Sequence, residues 1–270
     1  MAHRTPKLAA FLVATLAPPS AWAQGEEVNK QSYHLFNPVP PPLMRELSTD
    51  RPDMTESPYT VDAGHFQVEI DLASLVVDQG QRSVGLMSMN TKVGLTNFLD
   101  LQVVIDSFLE TGGRYGVGDL TLRTKFNVWG NDGGTTAFGL MPFLTLPTGS
   151  NEFGVSGVEG GLIPLLAIEL PAGFSTTLMP ELDLVRNDEG RYELQVFATG
   201  TLSRDLYGAL GGFVEGTALI PVSGGPVAVG LDLGLTYGLL DNLAFDTGVR
   251  IGLTDAAEDL AVFTGLSFRV

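Results

Sequence analysis

The chain has no cysteine, so neither a disulfide framework nor a thiolate metal site can form, and packing and hydrogen bonds must hold the fold. Histidine is nearly as scarce, three in 270 residues, which leaves little for chemistry that needs an imidazole base. Positive charge is short: 15 Lys and Arg stand against 31 Asp and Glu, a formal net charge of −16. Nucleic acid is therefore excluded as a partner, because its phosphates reward Lys and Arg. Beyond the first residues, long apolar runs are missing too. The most apolar stretch, Leu162 to Leu170, contains Pro164 and Glu169 and falls well short of the roughly 20 residues a spanning helix needs. Gly116-Val117-Gly118 is followed by no helix pattern and so makes no phosphate loop. No metal-ligand spacing occurs, and no cofactor is expected.

What is present begins with Arg4 and Lys7, the apolar run Leu8 to Ala17, and the small-residue pattern Ala21-Trp22-Ala23. That order of basic, apolar and small residues is a secretory signal peptide over 1–23, cleaved after Ala23. Residues 24–63 are polar, carry Pro38, Pro40, Pro41 and Pro42, and show no period. They read as a mostly irregular periplasmic arm or partial plug, with an ordered end near Arg51 to Tyr59.

From Gly64 to Val270 the period becomes 2, the mark of strands with two different faces. Phe66, Val68, Ile70 and Leu72 alternate with Gln67, Glu69 and Asp71; Leu120, Leu122, Thr124, Phe126 and Val128 alternate with Thr121, Arg123, Lys125 and Asn127. About twelve such segments follow one another, the ninth a weak one through Leu206, Leu210 and Val214. In every register the apolar face carries no Asp, Glu, Lys or Arg. A Lys or Arg facing lipid near the midplane costs roughly 2 to 4 kcal/mol, so hydrocarbon would impose that exclusion. A soluble sandwich would fill a core from two sheets, whereas the second face here is too polar for that. Links alternate between short (Thr96-Asn97, Pro171 to Gly173, Leu240-Asp241) and longer (110–118, 149–157, 186–190, 254–259). The expected fold is all-β: an antiparallel transmembrane β-barrel of about 12 strands over 64–270, placed in the outer membrane of a Gram-negative bacterium.

Ser48-Thr49-Asp50-Arg51-Pro52-Asp53, continuing through Thr55-Glu56-Ser57-Pro58 to Gly64-His65-Phe66-Gln67-Val68-Glu69, resembles the start of a family of outer-membrane transporters named for the meta-cleavage pathway of phenol degradation. Gly116 to Arg123 with Lys125, Leu146-Pro147-Thr148-Gly149 and Val158-Glu159-Gly160-Gly161 are similar to it as well. The resemblance implies a barrel of this kind acting as a transporter. Gly265-Leu266-Ser267-Phe268-Arg269-Val270 is similar to the signal read by barrel-assembly machinery, although most such proteins end in Phe and this chain ends in Val270.

The polar parity supplies the candidate lumen residues: the acids Glu69, Asp71, Asp100, Asp106, Asp119, Glu159, Glu169, Glu181, Asp183, Glu193, Glu215, Asp232 and Asp246, and the bases Lys92, Arg123, Lys125, Arg250 and Arg269. Such a wall either concentrates cations or pairs within a plugged interior. Strands five to nine add an apolar lumen wall of Met141, Phe143, Ile163, Leu165, Met179, Phe197 and Phe213, suited to an apolar solute or to the arm. Arg51, with Arg45, is the candidate plug. Pro142, Pro164 and Pro180 lie in three consecutive strands, where missing amide donors weaken the ladder and offer a sideways exit. The expected function is passive uptake of small molecules, aromatic or apolar compounds among them, with membrane lipid and the solute as partners. The alternatives are a structural or adhesive barrel without transport and an outer-membrane hydrolase. For the hydrolase only His34 and His65 are available as base.

Overall fold

The computed structural model describes residues 29–270 apart from residues 151 and 188; the signal peptide expected over 1–23 lies outside the described residues. Strands β1 (Phe66–Asp78) and β2 (Gln81–Thr96) form the first hairpin. The next strand is split into β3 (Leu99–Ile105) and β4 (Phe108–Thr111), and the fourth into β5 (Arg114–Gly116) and β6 (Leu120–Trp129). Eight continuous strands complete the sheet: β7 (Thr136–Leu146), β8 (Glu159–Leu170), β9 (Phe174–Arg186), β10 (Tyr192–Tyr207), β11 (Leu210–Pro221), β12 (Ala228–Leu240), β13 (Leu243–Gly252) and β14 (Leu260–Arg269). Each pairs antiparallel with its neighbour, and β1 pairs with both β2 and β14. The sheet thus closes into a twelve-stranded barrel, which removes every long edge.

Burial follows an inside-out rule. Leu122, Leu144, Leu182, Leu184, Leu233, Ile251 and Val262 point outward and are each more than a third exposed, whereas Glu69, Lys92, Asp100, Lys125, Glu215 and Asp232 are buried. The alternation of the sequence becomes a polar interior and an apolar exterior, the inverse of a soluble β-protein. No helix among the described residues is long and apolar enough to cross a membrane.

Three readings of the sequence need correction. The ninth segment does not run through Leu206, Leu210 and Val214 as one strand: β10 continues to Tyr207, and β11 begins at Leu210. Gly208, at φ +57°, makes the turn between them, a conformation that glycine adopts without a Cβ clash. The outer face is also not free of charge, because the parity of β10 that carries Leu202 and Leu206 carries Arg204 as well. The alternation of link lengths fails twice. β1 and β2 are joined by the tight turn Gln79-Gly80 on the side of the long loops, and Gly130 to Thr135 is a longer link on the side of the short ones.

Candidate functional site: the arm-filled lumen

Residues 29–65 start at the rim that carries the short turns. Leu35 N–H donates to Leu95 O (2.9 Å) and Val39 N–H to Ala63 O (3.0 Å). The chain then folds into the barrel and returns to the rim at Ala63, which bridges Gly94 in parallel. The segment inside has no regular structure, so its backbone donors need partners from elsewhere. Wall carboxylates supply them: Asp50 N–H donates to Glu69, Met54 and Thr55 N–H to Glu215 (2.9 and 2.8 Å), and Val61 N–H to Asp100 (3.0 Å).

Side chains add a second set of contacts. Asp50 lies between the ammoniums of Lys92 and Lys125, the latter at 2.7 Å, and Glu69 takes Lys92 from the other side at 2.6 Å. Burial raises the Asp50 carboxyl, but Lys125 and Lys92 more than offset this and hold it well below the ordinary range. Arg51 donates to Asp246 through Nε and Nη2 (3.2 and 2.8 Å) and lies 3.6 Å from Asp71. Glu56 pairs with Arg123. Even so, burial and the charge of Asp50 push its carboxyl up to about 7, with Arg123 pulling the other way. Burial, then the charge of Glu215, raises Asp53 well above the usual range. At the rim, Asp62 accepts from Arg269 (3.2 Å), and Arg45 reaches Asp62 and Asp132 (3.3 and 3.0 Å).

The other candidates divide by position. Asp232 pairs with Arg250 across β12 and β13 (2.8 Å). At the long-loop end, Asp119 accepts from the backbone of Thr148, Gly149 and Val155. Glu159 likewise accepts from Arg186 N–H (2.7 Å), and Glu193 from Asn187 (2.6 Å). These three brace loops. Glu181 and Asp183 are successive inward residues of β9, with Glu181 near Arg123 and Glu56. On the apolar side, Met141, Ile163, Leu165 and Met179 form one buried cluster with Phe143 and Phe197 against it. Glu56 N–H approaches Met179 Sδ at 3.3 Å, so part of this wall packs under the arm. Phe213 instead lies over Gly234, where a Cβ would come within 2.2 Å of its ring.

His65 has Nε2 2.7 Å from Val39 O and Nδ1 3.3 Å from Val270 O, while His34 Nδ1 accepts from Phe36 N–H. Neither histidine hydrogen-bonds a serine among the described residues. The arm residues Asp50, Thr55, Glu56 and Asp62 were missed by sequence reasoning, because an irregular segment has no period to read. The density of polar residues between Pro52 and Pro58, together with the family resemblance carried by Ser48 to Pro58, was the available signal.

The three prolines coincide with gaps in the ladder. Between β6 and β7 pairing stops after Arg123–Phe143 and resumes at Phe126–Leu140, leaving out Pro142. Between β8 and β9 it stops at Leu162–Leu182 and resumes at Leu166–Leu178. That register sets Pro164 opposite Pro180, two residues without an amide donor at one level. Outside this seam lies an apolar groove of about 790 Å³, lined by Leu122, Pro142, Leu144, Leu162, Leu182 and Tyr192, with Phe143 reaching it from the lumen side.

The family described as "Putative MetA-pathway of phenol degradation" matches residues 49–270. The chain belongs to that family. Its matched region begins one residue before Asp50 and so takes in the part of the arm that enters the phenol-degradation family barrel, as well as every strand. Among solved structures, an outer membrane channel from Pseudomonas putida F1 is similar over 83% of this chain and 100% of that one, with 11% identity and a TM-score of 0.60. KdgM porin is similar over 76% of this chain and 98% of that one, at 12% identity and a TM-score of 0.47. No curated protein matches the chain.

Proposed function

We propose that this barrel is a passive channel of the Gram-negative outer membrane for small molecules, and that apolar or aromatic compounds are among its solutes. Export by the signal peptide and insertion by barrel-assembly machinery, with β14 as the strand recognised, belong to the same reading. The observation that carries it is the meeting of three features at one height in the wall. The tip of the arm, Met54 to Glu56, reaches β6, β9 and β11. Phe143 and Phe197 flank that level, and the ladder is interrupted there at Pro142 and at Pro164–Pro180.

A solute entering from the long-loop end meets this apolar wall before it meets the arm. An apolar solute gains by leaving water, and the nearest hydrocarbon lies across the seam. Ions and polar solutes are held back by the docked arm. The deciding experiment is uptake by reconstituted vesicles, with lipopolysaccharide in the outer leaflet, of a panel of charged and aromatic solutes. Transport of aromatic solutes above empty vesicles supports the channel. Neither uptake nor conductance would leave a structural barrel, a reading favoured by the extent to which the arm fills the lumen.

A further inference from the structure

Arg204 stands where a membrane barrel has little reason to keep a cation. On the outward parity of the half of the barrel nearest the short turns, it is the one Lys or Arg among the described residues. Its guanidinium makes no hydrogen bond or ion pair with any of the described residues, and it lies over the ring of its cross-strand neighbour Phe174 at 4.9 Å. Arg204 is three residues from the end of β10, beside the exposed Tyr207. That puts it near the interface, where an outward Arg costs far less than at the midplane.

Above it the outer wall is hollowed. A groove of about 690 Å³ runs over β10 to β13, with Leu202, Leu206, Val214, Leu233, Leu235 and Val249 as walls. Gly212, Gly234 and Gly248 lie along its floor. The volume is within the roughly 300 to 1,000 Å³ of small-molecule sites, and Arg204 and Phe174 stand at its rim end. An apolar trough in line with hydrocarbon, closed at headgroup height by an unpaired guanidinium, matches one kind of molecule in charge and shape.

We propose that this groove binds one glycerophospholipid of the periplasmic leaflet, an acyl chain in the trough and the phosphate diester on Arg204. A guanidinium offers two parallel donors to phosphate oxygens and is more weakly hydrated than an ammonium, which suits a half-dry interface. Phe174 holds it in place by cation–π contact.

The test is native mass spectrometry of the full chain, folded in detergent, titrated with dioleoyl phosphatidylglycerol, dioleoylglycerol or inorganic phosphate. The expected result is a saturable adduct of one phosphatidylglycerol, with dioleoylglycerol bound far more weakly and phosphate unable to displace the lipid. Arg204→Gln should weaken the adduct roughly tenfold or more, the loss of one charge-assisted contact. Val249→Trp, which fills the trough and keeps the cation, should abolish it, and reads the site independently should Arg204→Gln not fold. Equal affinity in Arg204→Gln, equal binding of dioleoylglycerol, or displacement by phosphate alone would each overturn the proposal. So would a lipid-free dimer that Val249→Trp disperses, because the groove would then belong to a second copy.

Discussion

Asp50 shows how a single side chain can determine whether a lumen is open. The side chains of Lys92 and Lys125 are 2% and 1% exposed, and stripping the charge from their shared partner leaves both buried with less compensation. Breaking a buried pair in this way costs about 3 to 5 kcal/mol, so Asp50→Asn should undock the arm or lower the barrel's unfolding free energy in micelles by that order. Glu56 sets a pH limit in the opposite sense. Its carboxyl is raised from 4.5 to about 7 in the docked arm, so its stabilising contribution is full below 4.5 and is lost as pH rises through about 7. Asp50 is held below its ordinary value, and its contribution is lost as pH falls. The protection of the amides in 45–62, taken relative to their intrinsic base-catalysed exchange, should therefore fall between pH 6 and pH 8 (roughly the span over which Glu56 ionises), and Glu56→Gln should remove that fall. Unchanged protection in the parent chain would show that Glu56 does not control docking.

At the scale of elements, the strands were legible because hydrocarbon and water impose opposite demands on adjacent residues, and that alternation survives in one dimension. Leu120 to Trp129 could be read directly. The β10–β11 hairpin could not, since Gly208, Gly211 and Gly212 dilute the pattern and the bulge between Asp205 and Tyr207 shifts it. The arm's contacts were hidden for another reason. The acids Glu69, Asp71, Asp100, Glu215 and Asp246 could be assigned to the inner face and Arg51 to pairing with lumen carboxylates, but not which acid meets which arm residue, because the partners lie 19 to 195 residues away along the chain. Glycines within strands have a similarly nonlocal cause. Gly234 leaves room for the ring of Phe213, so Gly234→Ala should destabilise the barrel by about 1 to 3 kcal/mol through overpacking. Adding Phe213→Leu should recover most of that loss in urea titrations, and no recovery would mean the strain lies elsewhere.

For the whole molecule, the question is whether solute leaves through the space the arm occupies or through the wall beside it. The candidate wall carries thirteen acids against five bases, an excess that would favour cations in an empty barrel. With the arm docked, five of those acids bind its backbone or its arginine, and the arm occupies the path that ions would take past them. Deleting 24–62 should therefore raise single-channel conductance and leave it cation-selective. The absence of cysteine allows the complementary experiment, because a Thr55→Cys, Thr199→Cys pair would introduce the chain's only thiols where the two hydroxyl oxygens are now 2.5 Å apart. Oxidation would then fasten the tip of the arm to β10. If apolar solutes leave at the proline seam, the locked barrel should take up aromatic compounds at an unchanged rate while passing no more ions than before. Pro142→Ala with Pro164→Ala and Pro180→Ala, which restores the missing donors, should slow that uptake. Uptake that stops on oxidation and returns on reduction would instead place the path through the arm.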